Sequence, residues 1–136
     1  MSATIKLSIL SPERRLVEGI EVDEVTLPGS EGQIQILPEH APMIGTLETG
    51  VFSYHRAGKD PVVGVISSGF FEVKSHEVHL MVETLELKGE IDVDRARKAQ
   101  QIAEETLKAA ELDEHQFRKY QLKLQRSIIR QNVASS

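Results

Sequence analysis

All nine glycines and all five prolines of this chain stand before position 90, and the last 45 residues have neither. Both residue types interrupt regular structure, so their distribution divides the chain in two. In the first part they punctuate short runs of period two. Ile5, Leu7 and Ile9 alternate with Lys6 and Ser8 before Ser11-Pro12-Glu13. Val25 and Leu27 precede Pro28-Gly29, and Ile34 and Ile36 alternate with Gln33 and Gln35. Val51–Tyr54 and Val62–Ile66 flank the turn-like Ala57-Gly58-Lys59-Asp60-Pro61. Phe71 and Val73 lead into Lys74-Ser75-His76-Glu77, and Val78, Leu80 and Val82 follow. Short alternating strands at this spacing predict an antiparallel sandwich or barrel with one wet face per sheet.

Beyond about residue 88 the period changes. Ala, Glu, Lys, Gln and Leu, all good helix formers, dominate. Asp92 is placed to cap a first helix. Ala96, Ala99, Ala103, Leu107 and Ala110 fall on one of its faces at steps of three and four. Asp113-Glu114-His115-Gln116 reads as a capping box opening a second helix, with Phe117, Tyr120, Leu124 and Ile128 as its expected apolar stripe. A short link between two helices predicts an antiparallel hairpin. The fold class is therefore α+β, with a β-sandwich over residues 1–88 and a two-helix arm over 89–136. An alanine seam buries little area, so the arm should be weakly held and able to open.

Composition removes several function classes. Without cysteine there is no disulfide, thiolate metal site or cysteine nucleophile. Without Trp, and with 4% aromatic residues, a stacking platform for single-stranded nucleic acid is not expected. No apolar run is long enough to span a membrane. The net charge of −5 is uneven. Residues 1–90 carry −7 and 91–114 carry −3, whereas 115–136 carry +5 with no acid at all. A basic tail on an acidic body points to an acidic partner surface, and the acidic body argues against nucleic acid.

No catalytic constellation emerges. Ser67-Ser68-Gly69 lacks the Gly-x-Ser-x-Gly frame of a nucleophile elbow. Gly29-Ser30-Glu31-Gly32 lacks the ending of a phosphate loop and precedes a strand, so it reads as a turn. His76 and His79, three apart on a strand, would face opposite sides, which argues against joint metal ligation. The carboxylates Glu13, Glu18, Glu21, Asp23 and Glu24 cluster near turns and receive no acid–base role. No catalytic or metal-ligating residue is assigned.

Three segments, in order and at their separations, resemble one family, the epsilon subunits of F-type rotary ATP synthases. They are Leu27-Pro28-Gly29-Ser30-Glu31-Gly32 with Ile36-Leu37-Pro38-Glu39-His40-Ala41-Pro42, then Ser68-Gly69-Phe70-Phe71-Glu72-Val73, then Ile91-Asp92-Val93-Asp94-Arg95-Ala96. The resemblance covers essentially the whole chain. It implies a ten-stranded sandwich followed by the hairpin, in a non-catalytic rotor subunit of the central stalk, peripheral on the cytoplasmic face of a bacterial inner membrane. Its implied partners are the gamma subunit, the c-ring and the beta and alpha subunits of the catalytic head. By position, Glu31, Gln33 and His40 are the implied c-ring contacts. Many relatives have Glu where this chain has Gln33 and Gly where it has Glu39.

The family's hairpin restrains ATP hydrolysis by reaching an acidic segment of the beta subunit. Arg118, Lys119, Lys123, Arg126 and Arg130 are the implied contacts. Some bacterial relatives also bind ATP through an Ile/Leu-Asp-x-x-Arg-Ala motif, which Ile91, Asp92, Arg95 and Ala96 match. Arg126 and Arg130 would approach from the second helix. No cofactor is required, and regulatory ATP is the one ligand the resemblance brings in. Two other classes compete. One is a stand-alone sandwich binding module with a helical dimerisation arm. The other is a small sandwich hydrolase using the carboxylates near residues 13–24.

Overall fold

The computed structural model describes residues 4–12, 15–109 and 111–136. It divides into two compact units, Met1–Leu87 and Lys88–Ser136. Ten strands build the first: β1 (Ile5–Leu10), β2 (Arg15–Val22), β3 (Glu24–Gly29), β4 (Gly32–Ile36), β5 (Met43–Leu47), β6 (Gly50–His55), β7 (Val62–Ile66), β8 (Gly69–Lys74), β9 (Glu77–Val82) and β10 (Leu85–Leu87).

The hydrogen-bonded order is β10-β7-β6-β3-β5-β8-β9-β1-β2, with β4 on the other edge of β3. β6 and β5 share the remaining edge of β3, through Thr26↔Ser53 and Gly29↔Leu47. The chain turns a corner between them, where Glu48 N donates to Pro28 O at 2.9 Å. One folded sheet thereby becomes two facing layers. All pairings are antiparallel except β1 with β9, which run parallel.

Alternation sets the interior. Ile5, Leu7 and Ile9 of β1, Phe71 and Val73 of β8, and Val78, Leu80 and Val82 of β9 are buried, joined by Leu27, Ile36, Phe52 and Ile66. Burying each such side chain contributes roughly 1.5–3 kcal/mol.

Three strands were not legible as strands. β2 carries Arg15, Glu18 and Glu21, pairs only with β1 and has irregular register near Ile9. Charges and bulges suit an edge strand, and they mask its period. Three of the turn carboxylates are engaged here: Glu18 pairs with Arg15 at 2.5 Å, Asp23 with His55 at 3.1 Å, and Glu24 accepts from Gln35 at 3.1 Å. Glu13 lies outside the described residues. β5 leaves both Met43 and Ile44 exposed and has Gly45 between them and Leu47, so it shows no clear apolar period. β10 has three residues, too few to show a period.

The second unit holds a short 3₁₀ turn, Lys88–Glu90, and helices α1 (Val93–Ala109) and α2 (Glu114–Ser135). Asp92 caps α1, its Oδ1 accepting from Arg95 N at 3.1 Å. Asp113 caps α2 with both bonds of the box in place, Gln116 N to Asp113 Oδ1 at 2.8 Å and Asp113 N to Gln116 Oε1 at 3.4 Å. The two helices pack as a hairpin. On α1 the seam runs through Ala96, Ala99, Ala103 and Leu107, with Ala96 and Ala103 buried; Ala110 lies outside the described residues.

On α2 the expected stripe is corrected. Phe117 and Ile128 are 44% and 38% exposed, and the inward line is Tyr120, Leu124, Ser127 and Gln131. Ser127 is fully buried because its hydroxyl donates to Leu124 O at 2.7 Å and its small size fits opposite an alanine face.

Candidate functional site

Four surface features bear on function, and each grows out of the local chain. The first is the β3–β4 turn. Gly29 must be glycine, because a Cβ there would lie 2.6 Å from Ile34 Cδ1 and 2.8 Å from Gly32 O. Ser30 ties the turn to β5, with its N donating to Thr46 O at 3.1 Å and its hydroxyl 2.6 Å from that of Thr46. Glu31 and Gln33 are thus presented together and exposed. His40 is not with them. It follows the far end of β4, whose five residues span roughly 16 Å. Its own segment is a tight turn, His40 N donating to Leu37 O at 3.1 Å, with Pro38 second and Glu39 third at φ 65°. That is the position where a type II turn favours glycine. Leu37 and Met43 flank this loop and are 48% and 38% exposed.

The second feature was missed in the sequence. On the outer face of the sandwich, Phe70 of β8 pairs with Met81 of β9, which pairs with Leu10 of β1. Ile44 of β5 lies on the same face, opposite Glu72, two residues along β8 from Phe70. Ile44 is 74% exposed and Phe70 48%. Leu10, Pro12, Gly69, Phe70, Met81 and Val82 line an open groove of about 480 Å³ here. Adjacent strand residues face opposite sides, so of Phe70 and Phe71 one had to point outward. That doublet was the available signal. An exposed apolar surface of this kind suits contact with another molecule.

The third feature is the basic face of α2. Lys119, Lys123, Arg126 and Arg130 follow at steps of four, three and four, one side of a helix, with Arg118 beside them. The stripe runs next to the packing line, so Arg126 and Arg130 are partly covered while Arg118, Lys119 and Lys123 are exposed. Lys123 Nζ sits 5.0 Å from the Tyr120 ring centroid, and Arg126 Nε donates to Leu122 O at 3.4 Å. No acid follows Glu114 in the sequence.

The fourth is the start of α1. Asp92 is engaged as a cap and Arg95 is exposed. A hydrogen bond from Gln131 to Gln100 sets the register of the antiparallel pair. Counting from it at 1.5 Å per residue, Arg130 lies roughly 9 Å and Arg126 roughly 15 Å along the axis from Arg95. The closed hairpin therefore does not gather Asp92, Arg95 and Arg126 into one site. Among the described residues no group of three His, Asp or Glu side chains is placed to hold a metal ion. His76 lies in the β8–β9 turn, while His79 faces outward and meets Glu77 at 3.3 Å.

Such a molecule is a binding subunit: a sandwich with an apolar outer face and a charged two-helix arm. Comparison with known proteins gives its particular family. Residues 4–88 match the model of the ATP synthase delta/epsilon chain β-sandwich domain, and residues 90–135 match the long α-helix domain of the same chain. The ATP synthase epsilon chain of Geotalea daltonii is 38% identical over 136 residues, covering 98% of this chain and 96% of its own. That of Desulforamulus reducens is 41% identical over 117 residues, covering 85% and 87%. The fold is also that of a chain in the Euglena gracilis mitochondrial ATP synthase OSCP/F1/c-ring structure, with TM-score 0.83 at 22% identity over 98% of this chain and 81% of that one. The chain belongs to the ATP synthase delta/epsilon family, as an epsilon chain.

Proposed function

We propose that this protein is a non-catalytic rotor subunit of an ATP synthase, coupling proton-driven rotation of a c-ring to the gamma subunit and restraining ATP hydrolysis with its arm. The observation that carries the reading is the cross-strand row Phe70, Met81 and Leu10, with Ile44 two residues along the same outer face, an apolar face assembled across four strands. We assign that face to gamma. The exposed Glu31–Gln33 turn and the His40 loop, on separate ends of β4, are assigned to c-ring contacts, with Gln33 in place of an acid.

Torque is transmitted by packed surfaces, so the subunit needs rigidity and no chemistry of its own. The basic stripe of α2 supplies the braking contact: Arg118, Lys119, Lys123, Arg126 and Arg130 suit an acidic segment of the beta subunit, in a collective, salt-sensitive attraction. No helix among the described residues is long and apolar enough to cross a membrane. Peripheral attachment on the cytoplasmic face of the inner membrane, through the complex, follows from this reading and from the bacterial relatives.

The test is ATP hydrolysis by the reconstituted catalytic complex carrying either the full chain or a version ending at Lys88. Truncation is expected to raise hydrolysis while the complex stays assembled. An unchanged rate would remove the brake, and failure of both versions to assemble would remove the rotor assignment.

A further inference from the structure

We infer that the amide pair Gln100–Gln131 is the latch that sets how often the arm opens. The argument begins with what the seam lacks. Ala96, Ala99 and Ala103 offer one methyl each, and the α2 residue buried level with Ala103 is Ser127, so the middle of the hairpin closes over little apolar area, with Leu107, Tyr120 and Leu124 toward the loop and Val133 toward the far end of α2 as its larger apolar residues. Polar bonds then carry an unusual share of the closure. Gln131 Nε2 donates across the interface to Gln100 Oε1 at 2.6 Å, and to Ser127 O of its own helix at 3.2 Å. Both of its protons are used.

Gln100 is itself oriented. Its Nε2 donates to Glu104 Oε1 at 2.7 Å, one turn on. A carboxylate only accepts, so Glu104 turns the amide nitrogen of Gln100 toward itself and the amide oxygen toward Gln131. The chain of bonds from Gln131 through Gln100 to Glu104 is half-buried, where hydrogen bonds strengthen one another. Opening returns every one of these groups to water, which takes the hydrogen bonds over. The pair therefore biases the equilibrium by a modest factor, as a latch should and a permanent joint should not.

This deepens the proposed function, since an arm that brakes must leave its closed state, and the test separates the two. The chain has no native cysteine, so spin labels can be attached at Gln101→Cys and Asn132→Cys, exposed positions flanking the pair. Pulsed electron spin resonance on the full-length protein then reads the ratio of long to short distances. Gln100→Ala and Gln131→Ala are each expected to raise the open fraction about three- to tenfold. The double variant should rise no further than the larger single change, because the two residues share one bond. Alanine is the better helix former, so loss of helicity cannot produce this result. Singles at the wild-type ratio, or a double equal to the product of the singles, would overturn the latch. The same variants in the assembled complex are expected to hydrolyse ATP more slowly. Opening that rises without slower hydrolysis leaves the latch standing and removes the brake.

Discussion

Gly69→Ala tests the packing beneath the apolar groove, and its cost follows from distances in the structure. Gly69 opens β8, opposite Val82. A Cβ there would lie 2.0 Å from Met81 O, 2.9 Å from Val82 Cα and 3.0 Å from Met81 C. All three are backbone atoms, so no side chain can swing aside. Relief requires β8 and β9 to part by about 1 Å, which a ladder bond near 2.9 Å cannot survive. The pairings Gly69↔Val82 and Phe70↔Met81 are the ones lost. At about 1 kcal/mol net for each lost bond, plus overpacking strain of about 1 kcal/mol or more, the substitution should cost roughly 3 kcal/mol. For a domain of this size 1 kcal/mol is about 4–8 °C in Tm, so the sandwich should melt roughly 12 °C or more below wild type. Thermal unfolding of the full chain followed by far-UV circular dichroism measures it. A drop below about 3 °C would refute the reasoning, since it would mean that this edge yields freely.

Glu39→Gly should stabilise the sandwich. It relieves a left-handed backbone cost of about 1–2 kcal/mol, against about 0.4–1 kcal/mol of added unfolded-state freedom, so Tm should rise by a few degrees; a fall would show that Glu39 makes a contact outweighing its φ of 65°. Phe70→Ser should leave the Tm within a few degrees of wild type, because the ring is 48% exposed, while weakening gamma binding at least tenfold, as expected for an aromatic anchor. Unchanged affinity in a pull-down titration would move the gamma contact off this face. Calorimetric titration with millimolar ATP is expected to give no binding heat, because Asp92 is engaged as a cap and Arg126 lies far along the helix from Arg95. Heat that vanishes in Arg95→Ala would refute this.

The sequence by itself determined what depends on neighbours along the chain. The period-two runs of β1, β8 and β9 and both aspartate caps could be read directly, since side-chain alternation and N-terminal capping act within a few residues. So could the division near residue 88 and the alanine line of α1. Tertiary structure decided what depends on register between distant segments. Leu10, Ile44, Phe70 and Met81 come from four strands, and only the pairings β1–β9, β8–β9 and β5–β8 make them one surface. Glu31 and His40, nine positions apart, lie beyond opposite ends of β4, which is held extended along its whole length by pairing with β3. Ser127 and Gln131 look like surface residues in the sequence, yet they lie in the α2 seam while Phe117 and Ile128 are exposed. Ser127 and Gln131 continue the line of Tyr120 and Leu124 at steps of three and four, whereas Ile128 is one residue off it and Phe117 lies beyond the end of α1. Period is a property of one strand or helix; partnership is a property of two, and no local pattern encodes which pair will meet.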